Sequence, residues 1–145
     1  MSQTKVFDSR EEYLFNLDET MLKGSVILSE WSSLVIFEAD RAFVSEANLA
    51  TILTAVAAIE THLRFEAAGF RKKNLAWLID NSNLKKPIVD ALHELRRYRN
   101  AWVHGDRSDE EEPDFGEGGQ EDELEEMAFE AIRLLREVIY SEQWV

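Results

Sequence analysis

The sequence predicts an all-α protein, a four- to five-helix antiparallel up-and-down bundle. Three observations carry this. Apolar residues recur at helical spacing along most of the chain, and no stretch alternates as a strand does. The 145 residues include only two prolines and six glycines, which leaves room for long helices. Hydrophobic residues make up 45% of the chain, enough for one core, so residues 1–145 read as a single domain.

The elements follow in order. Ser9 and Glu12 have the spacing of a capping box and start the first helix. That helix, or a broken pair, runs to about residue 44, with Gly24 as its weak point. The second helix spans 48–68, with Asn48 as N-cap and Gly69 as terminator. A short third helix covers 72–80, and the NSN stretch at 81–83 is a turn signal. The fourth runs over 86–103, with Pro87 in its first turn. An acidic loop, GDRSDEEEPDFGEGGQ at about 105–120, precedes the last helix at 121–142. Trp31, Trp77 and Trp102 sit in apolar stretches and are assigned to the core.

Charge divides the chain unevenly. The formal net charge is -13, and residues 106–126 hold twelve carboxylates against the single base Arg107. Residues 71–99 hold eight bases against three acids. The body is therefore nearly neutral, with a basic flank and an acidic insert. The insert is either a solvated loop or a polyanion competing with nucleic acid for the basic flank. No cysteine is present, which excludes disulfides and thiolate metal sites. The uncharged apolar runs LVIF at 34–37 and AVAAI at 55–59 are too short to span a bilayer, and the N-terminus lacks the apolar core of a signal peptide. A soluble, cytoplasmic protein without membrane contact is expected. No histidine pair has metal-site spacing, and no phosphate-cradling glycine loop or dinucleotide fingerprint occurs, so neither metal nor cofactor is expected.

Two polar residues interrupt apolar stripes. On the fourth helix, Ile88, Leu92, Leu95 and Trp102 share a stripe with Arg99 in its middle. On the second, Leu49, Leu53, Val56 and Leu63 flank Glu60. A lone buried charge is costly, so Glu60 and Arg99 are expected to pair. That pair is either a structural salt bridge or a device in which Glu60 orients Arg99 at a cleft, its spare donors meeting phosphate. Asn100 and His104 are four residues apart and share another face. His104 lies roughly 140° from Arg99 on an ideal helix. The two converge if the helix ends at His104, as Gly105 suggests, or if two copies pair end to end. His62 is expected on the surface, and His93 on the surface or in a dimer contact.

At RNAWVH, residues 99–104, the sequence resembles the HEPN superfamily, whose motif is an arginine, a polar residue and a histidine four to six positions on. The stretch AAIETHLR at 57–64 is similar to the family's pattern of small and apolar residues around an acid. The resemblance implies a helical bundle that homodimerises and brings two motifs into one cleft. It also implies a metal-independent endoribonuclease, often a toxin-antitoxin or phage-defence component, with an antitoxin or other protein partner. Carried over, Arg99 and His104 become catalytic and Asn100 orients them. Silenced toxins of the family often have tyrosine two residues after the histidine, where this chain has Asp106. The residue types fit cleavage of RNA through its own 2′-OH: His104 moves protons and Arg99 stabilises charge on the phosphate oxygens. Arg71, Lys72, Lys73, Lys85 and Lys86 are candidate contacts to the RNA backbone. The alternative is a non-catalytic HEPN-like module that binds RNA or a protein.

Overall fold

The computed structural model describes residues 9–67, 72–105 and 119–144. These form six helices: α1 (Arg10–Met21), α2 (Glu30–Val44), α3 (Asn48–Glu66), α4 (Leu75–Asp80), α5 (Lys86–His104) and α6 (Gly119–Ile139). The fold is all-α, a helical bundle with one helix more than expected. Gly69, Arg71 and the acidic loop from Asp106 to residue 118 lie outside the described residues.

The extra helix arises because the first predicted one breaks at 22–29. Backbone groups released there find partners at the far end of the chain. Gln143 Oε1 accepts from the Gly24 N–H at 2.9 Å, and Gln143 Nε2 donates to the Met21 carbonyl at 2.7 Å. Ser25 and Trp144 exchange two backbone bonds of 2.7 Å. Ser9 caps α1 as expected, accepting from the Glu12 N–H at 3.2 Å, and Ser29 caps α2 by accepting from Ser32. Asn48 is not a cap. It lies inside the first turn of α3, and its Oδ1 accepts from Arg10 Nη1 at 2.8 Å.

Arg10 shows how the bundle is aligned. Its guanidinium reaches Asn48 at the start of α3, the Phe43 carbonyl near the end of α2, and Glu125 early in α6. It also lies over the rings of Phe43 and Phe129, 4.6 and 4.9 Å from their centroids. Helices α1, α3 and α6 therefore start at one end, and α2 ends there. Tyr98 donates to Glu123 at 3.1 Å, so α5 also finishes at that end. Helix α3 is central, with α2 on one side and α6 on the other, while α5 packs on α4, α6 and α3. No described helix is long and apolar enough to cross a membrane.

The buried ionic centre is Arg136, not Glu60 with Arg99. Its side chain is 4% exposed, and it forks onto both oxygens of Asp40 at 2.7 and 2.9 Å. Its Nε donates to Asp18 Oδ1 at 3.2 Å, and Tyr140 Oη donates to the same oxygen at 2.7 Å. Burial works against the charge on Arg136, but the bonds and charges of Asp40 and Asp18 outweigh it and raise the guanidinium above its ordinary range. Burial, and then the Asp18 carboxylate, push the Tyr140 phenol well up; burial also raises Tyr13.

The sign of the pH dependence follows. Both phenols ionise less readily folded than unfolded, so their contribution is intact below pH ~10, the unfolded value. It is lost as pH rises above that. Urea denaturation of the native chain at neutral and strongly alkaline pH should show falling stability on the alkaline side. Tyr140→Phe should flatten that fall. An unchanged slope in the variant would mean that Tyr140 does not carry it.

Candidate functional site

The R-N-x-x-x-H motif occupies the last turns of α5. That helix buries only Leu92 and Leu95; Ile88, Tyr98, Arg99 and Trp102 are half-buried, and Val103 and His104 are exposed. The stripe bearing Arg99 has therefore begun to leave the core where Arg99 stands. Gly105 ends the helix at φ 63°, the left-handed conformation that favours glycine. The helix stops at His104, as convergence of Arg99 and His104 within one chain requires.

Arg99 Nε donates to Asn100 Oδ1 at 2.9 Å. No carboxylate among the described residues pairs with its guanidinium. Asn100 thus holds the arginine stem, and none of the contacts of the described residues joins it to His104.

Glu60 does not pair with Arg99. Its carboxylate binds Arg64 on the same helix at 2.8 Å, both side chains being about one-third exposed. The physical reason is stagger. Arg99 sits at the end of the bundle where α3 begins, whereas Glu60 lies twelve residues along α3, about 18 Å of helical rise. The buried face of α3 is also rotated from the expected stripe. It runs through Ile52, Ala55, Val56, Ile59, His62 and Leu63, which places Glu60 at its edge. Glu60→Ala should therefore cost only about 0.5 kcal/mol, the worth of an i,i+4 pair. Chemical denaturation of the variant checks this, and a loss several times larger would restore a buried role for Glu60.

The histidines also depart from expectation. His62 is buried, with Nε2 3.3 Å from Glu66. His93 is largely covered and ties α5 to α4. Arg96 Nε donates to its Nδ1 at 3.3 Å, so its Nε2 carries the proton and donates to Asp80 at 2.7 Å. The Asp80–His93–Arg96 chain was not anticipated. Its signal is the Asp at the end of one helix and the i,i+3 His–Arg pair on the next.

The basic candidates are scattered. Lys85 and Lys86 are exposed at the start of α5, and Lys86 pairs with Asp90 at 3.0 Å. They stand about 20 Å of helix from Arg99. Lys72 and Lys73 are exposed near the end of α3, where the Lys73 carbonyl accepts from Arg64, and Lys73 Nζ lies over the Trp77 ring. These four lysines are therefore at the end of the bundle opposite His104. Between the two ends, α5 presents Arg96 and the exposed Arg97.

Two of the clefts among the described residues lie away from the motif. One, of about 580 Å³, lies between Leu63, Ala67, Trp77, Asn81 and Ser141. The other, of about 280 Å³, lies between Lys85, Ile88, Glu137 and Tyr140. Neither includes Arg99, Asn100 or His104. On the α6 side, Glu123 accepts from Tyr98, one residue before Arg99, and Glu121 and Asp122 are exposed in the first turn of the same helix. No protein-family model, curated protein or solved structure matches the chain.

Proposed function

We propose that the chain is a metal-independent endoribonuclease of HEPN type whose site is the end of α5. The observation that carries this reading is the state of Arg99. It is half-buried, oriented through Nε by Asn100, and, like Arg96 and Arg97 on the same helix, pairs with no carboxylate among the described residues, whereas Arg10, Arg41, Arg64, Arg133 and Arg136 each have one. An arginine so arranged suits an incoming phosphate. His104 is exposed on the same terminal turns, within reach of the 2′-OH and the leaving 5′-oxygen of an RNA strand passing the helix end.

The strand would run along α5, past Arg96 and Arg97, towards Lys85 and Lys86. The acidic start of α6, joined to α5 at Tyr98 beside the motif, competes with RNA for it. This supports a role for the acidic segment as a restraint on binding, the place at which an antitoxin or other partner would act. The test is incubation with single-stranded and structured RNA in the presence of EDTA. Cleavage that survives chelation and leaves 2′,3′-cyclic phosphate ends is the expected result. Intact RNA, or cleavage that EDTA abolishes, would remove the proposal.

The second reading, a non-catalytic interaction module, is favoured by one specific feature. Trp31, assigned to the core from sequence, is 76% exposed on α2, together with other large apolar residues.

A further inference from the structure

Helix α2 is apolar on two faces. Ala39 and Phe43 are fully buried against the bundle. The opposite arc, about 140° wide on an ideal helix, carries Trp31, Leu34, Phe37 and Val44, all exposed. Glu30, Glu38 and Arg41 lie on the same arc. Arg41 pairs with Glu38 at 3.6 Å and lies 5.6 Å from the Phe37 ring centroid. Helix α2 packs on α1, α3 and α6 and makes no contact with α5. The arc is therefore separate from α5 and its Arg99–His104 turns.

We propose that a second copy of this chain covers this arc, α2 against α2, antiparallel about a two-fold axis. Two arguments select this occupant. The first is area. The four apolar side chains expose roughly 400–500 Å², taking about 200 Å² for a full aromatic side chain. A standard interface buries about 800 Å² per partner, a little over half of it apolar, so the arc supplies the apolar share of one complete interface.

The second argument is self-complementarity. In an antiparallel pair about a two-fold axis, facing residues share one sum of residue numbers. With the axis between Val35 and Ile36, Leu34 faces Phe37 of the second copy. The same register brings Glu30 opposite Arg41 of the second copy, twice over. One register thus matches the central Leu34–Phe37 pair and both charge pairs, which an unrelated partner has no reason to do; Trp31 falls level with Asp40, and Val44 level with Ile27 beyond the helix. The pairing is independent of the nuclease reading. It leaves both α5 ends outside the paired surface, in place of the shared cleft that the HEPN resemblance implies.

The test is solution mass by light scattering and sedimentation over the micromolar range. The chain should run at twice its monomer mass. Leu34→Glu should weaken association by about tenfold or more, because it buries an unpaired carboxylate. Its circular dichroism should stay unchanged, since Leu34 is exposed in the single chain, and its melting should fall only by the lost dimer linkage. Glu30→Arg and Arg41→Glu should each weaken the dimer, and the double exchange E30R/R41E should restore it. A native chain that stays monomeric gives the arc to another occupant and overturns the proposal. So does a dimer indifferent to Leu34→Glu, and so does a double exchange that fails to rescue.

Discussion

Asp40→Ala should destabilise the protein by about 3–5 kcal/mol, the largest loss expected from any single ionic substitution here. The reason is what remains behind. The Arg136 guanidinium is 4% exposed and binds Asp40 through both terminal nitrogens. Without Asp40 it keeps only its Nε bond to Asp18, and two donors are stranded away from water. Arg136→Met should cost less. The carboxylates it frees belong to Asp40 and Asp18, which are 25% and 39% exposed and can take up water. Combining the two substitutions should return part of the loss, because the stranded charge is gone. Urea denaturation at neutral pH measures all three. If Asp40→Ala cost under 1 kcal/mol, or more when combined with Arg136→Met than the two substitutions add up to, the cluster would not be the anchor of α1, α2 and α6.

This cluster was within reach of the sequence. A charge within an apolar stretch, as at Glu60 and Arg99, stands out more strongly at Arg136, which follows Leu134 and Leu135 in a helix with many buried residues. The stripe on α3 misled for a different reason. Its buried face is built largely of alanine and isoleucine, with α2 and α6 pressing from two sides, so the large leucines marked a shoulder and not the centre. Some helix ends were legible because caps are local: Ser9, Pro87 and Gly105 act where the sequence puts them, whereas Asn48 does not. The break between α1 and α2 falls around the weak point Gly24, but what holds it, Gln143 and Trp144 from across the chain, was not legible. Nor was the outer arc of α2, because an exposed apolar stripe and a buried one have the same spacing. The motif at the end of α5 is where the sequence placed it, but the partner chosen for Arg99 was wrong, because helix stagger is a tertiary property.

Arg99→Ala and His104→Ala should each lower RNA cleavage by about 10²–10⁴-fold, the range for losing a positioned proton-transfer group or a charge-stabilising donor. Both variants should fold normally. His104 is exposed and Arg99 is half-buried, with one bond to its neighbour, so stability should change by only about 0.5 kcal/mol. Activity loss is then separable from unfolding, which it would not be for Arg136. Arg99→Lys should recover little, since an ammonium keeps the charge but lacks both the fork and the Nε donor that Asn100 holds. Asn100→Ala should have a smaller effect, because it loosens the arginine without removing it. Mixing the two alanine variants asks whether one chain is sufficient. With each site on a single chain, the mixture stays inactive. Recovery of activity would put Arg99 and His104 of one site on different chains and replace the α2 pairing with an association through α5. RNA carrying a deoxy sugar at the cleaved position should resist the native protein, because the attacking hydroxyl is missing. Cleavage that persists in both alanine variants would move the chemistry away from α5 altogether.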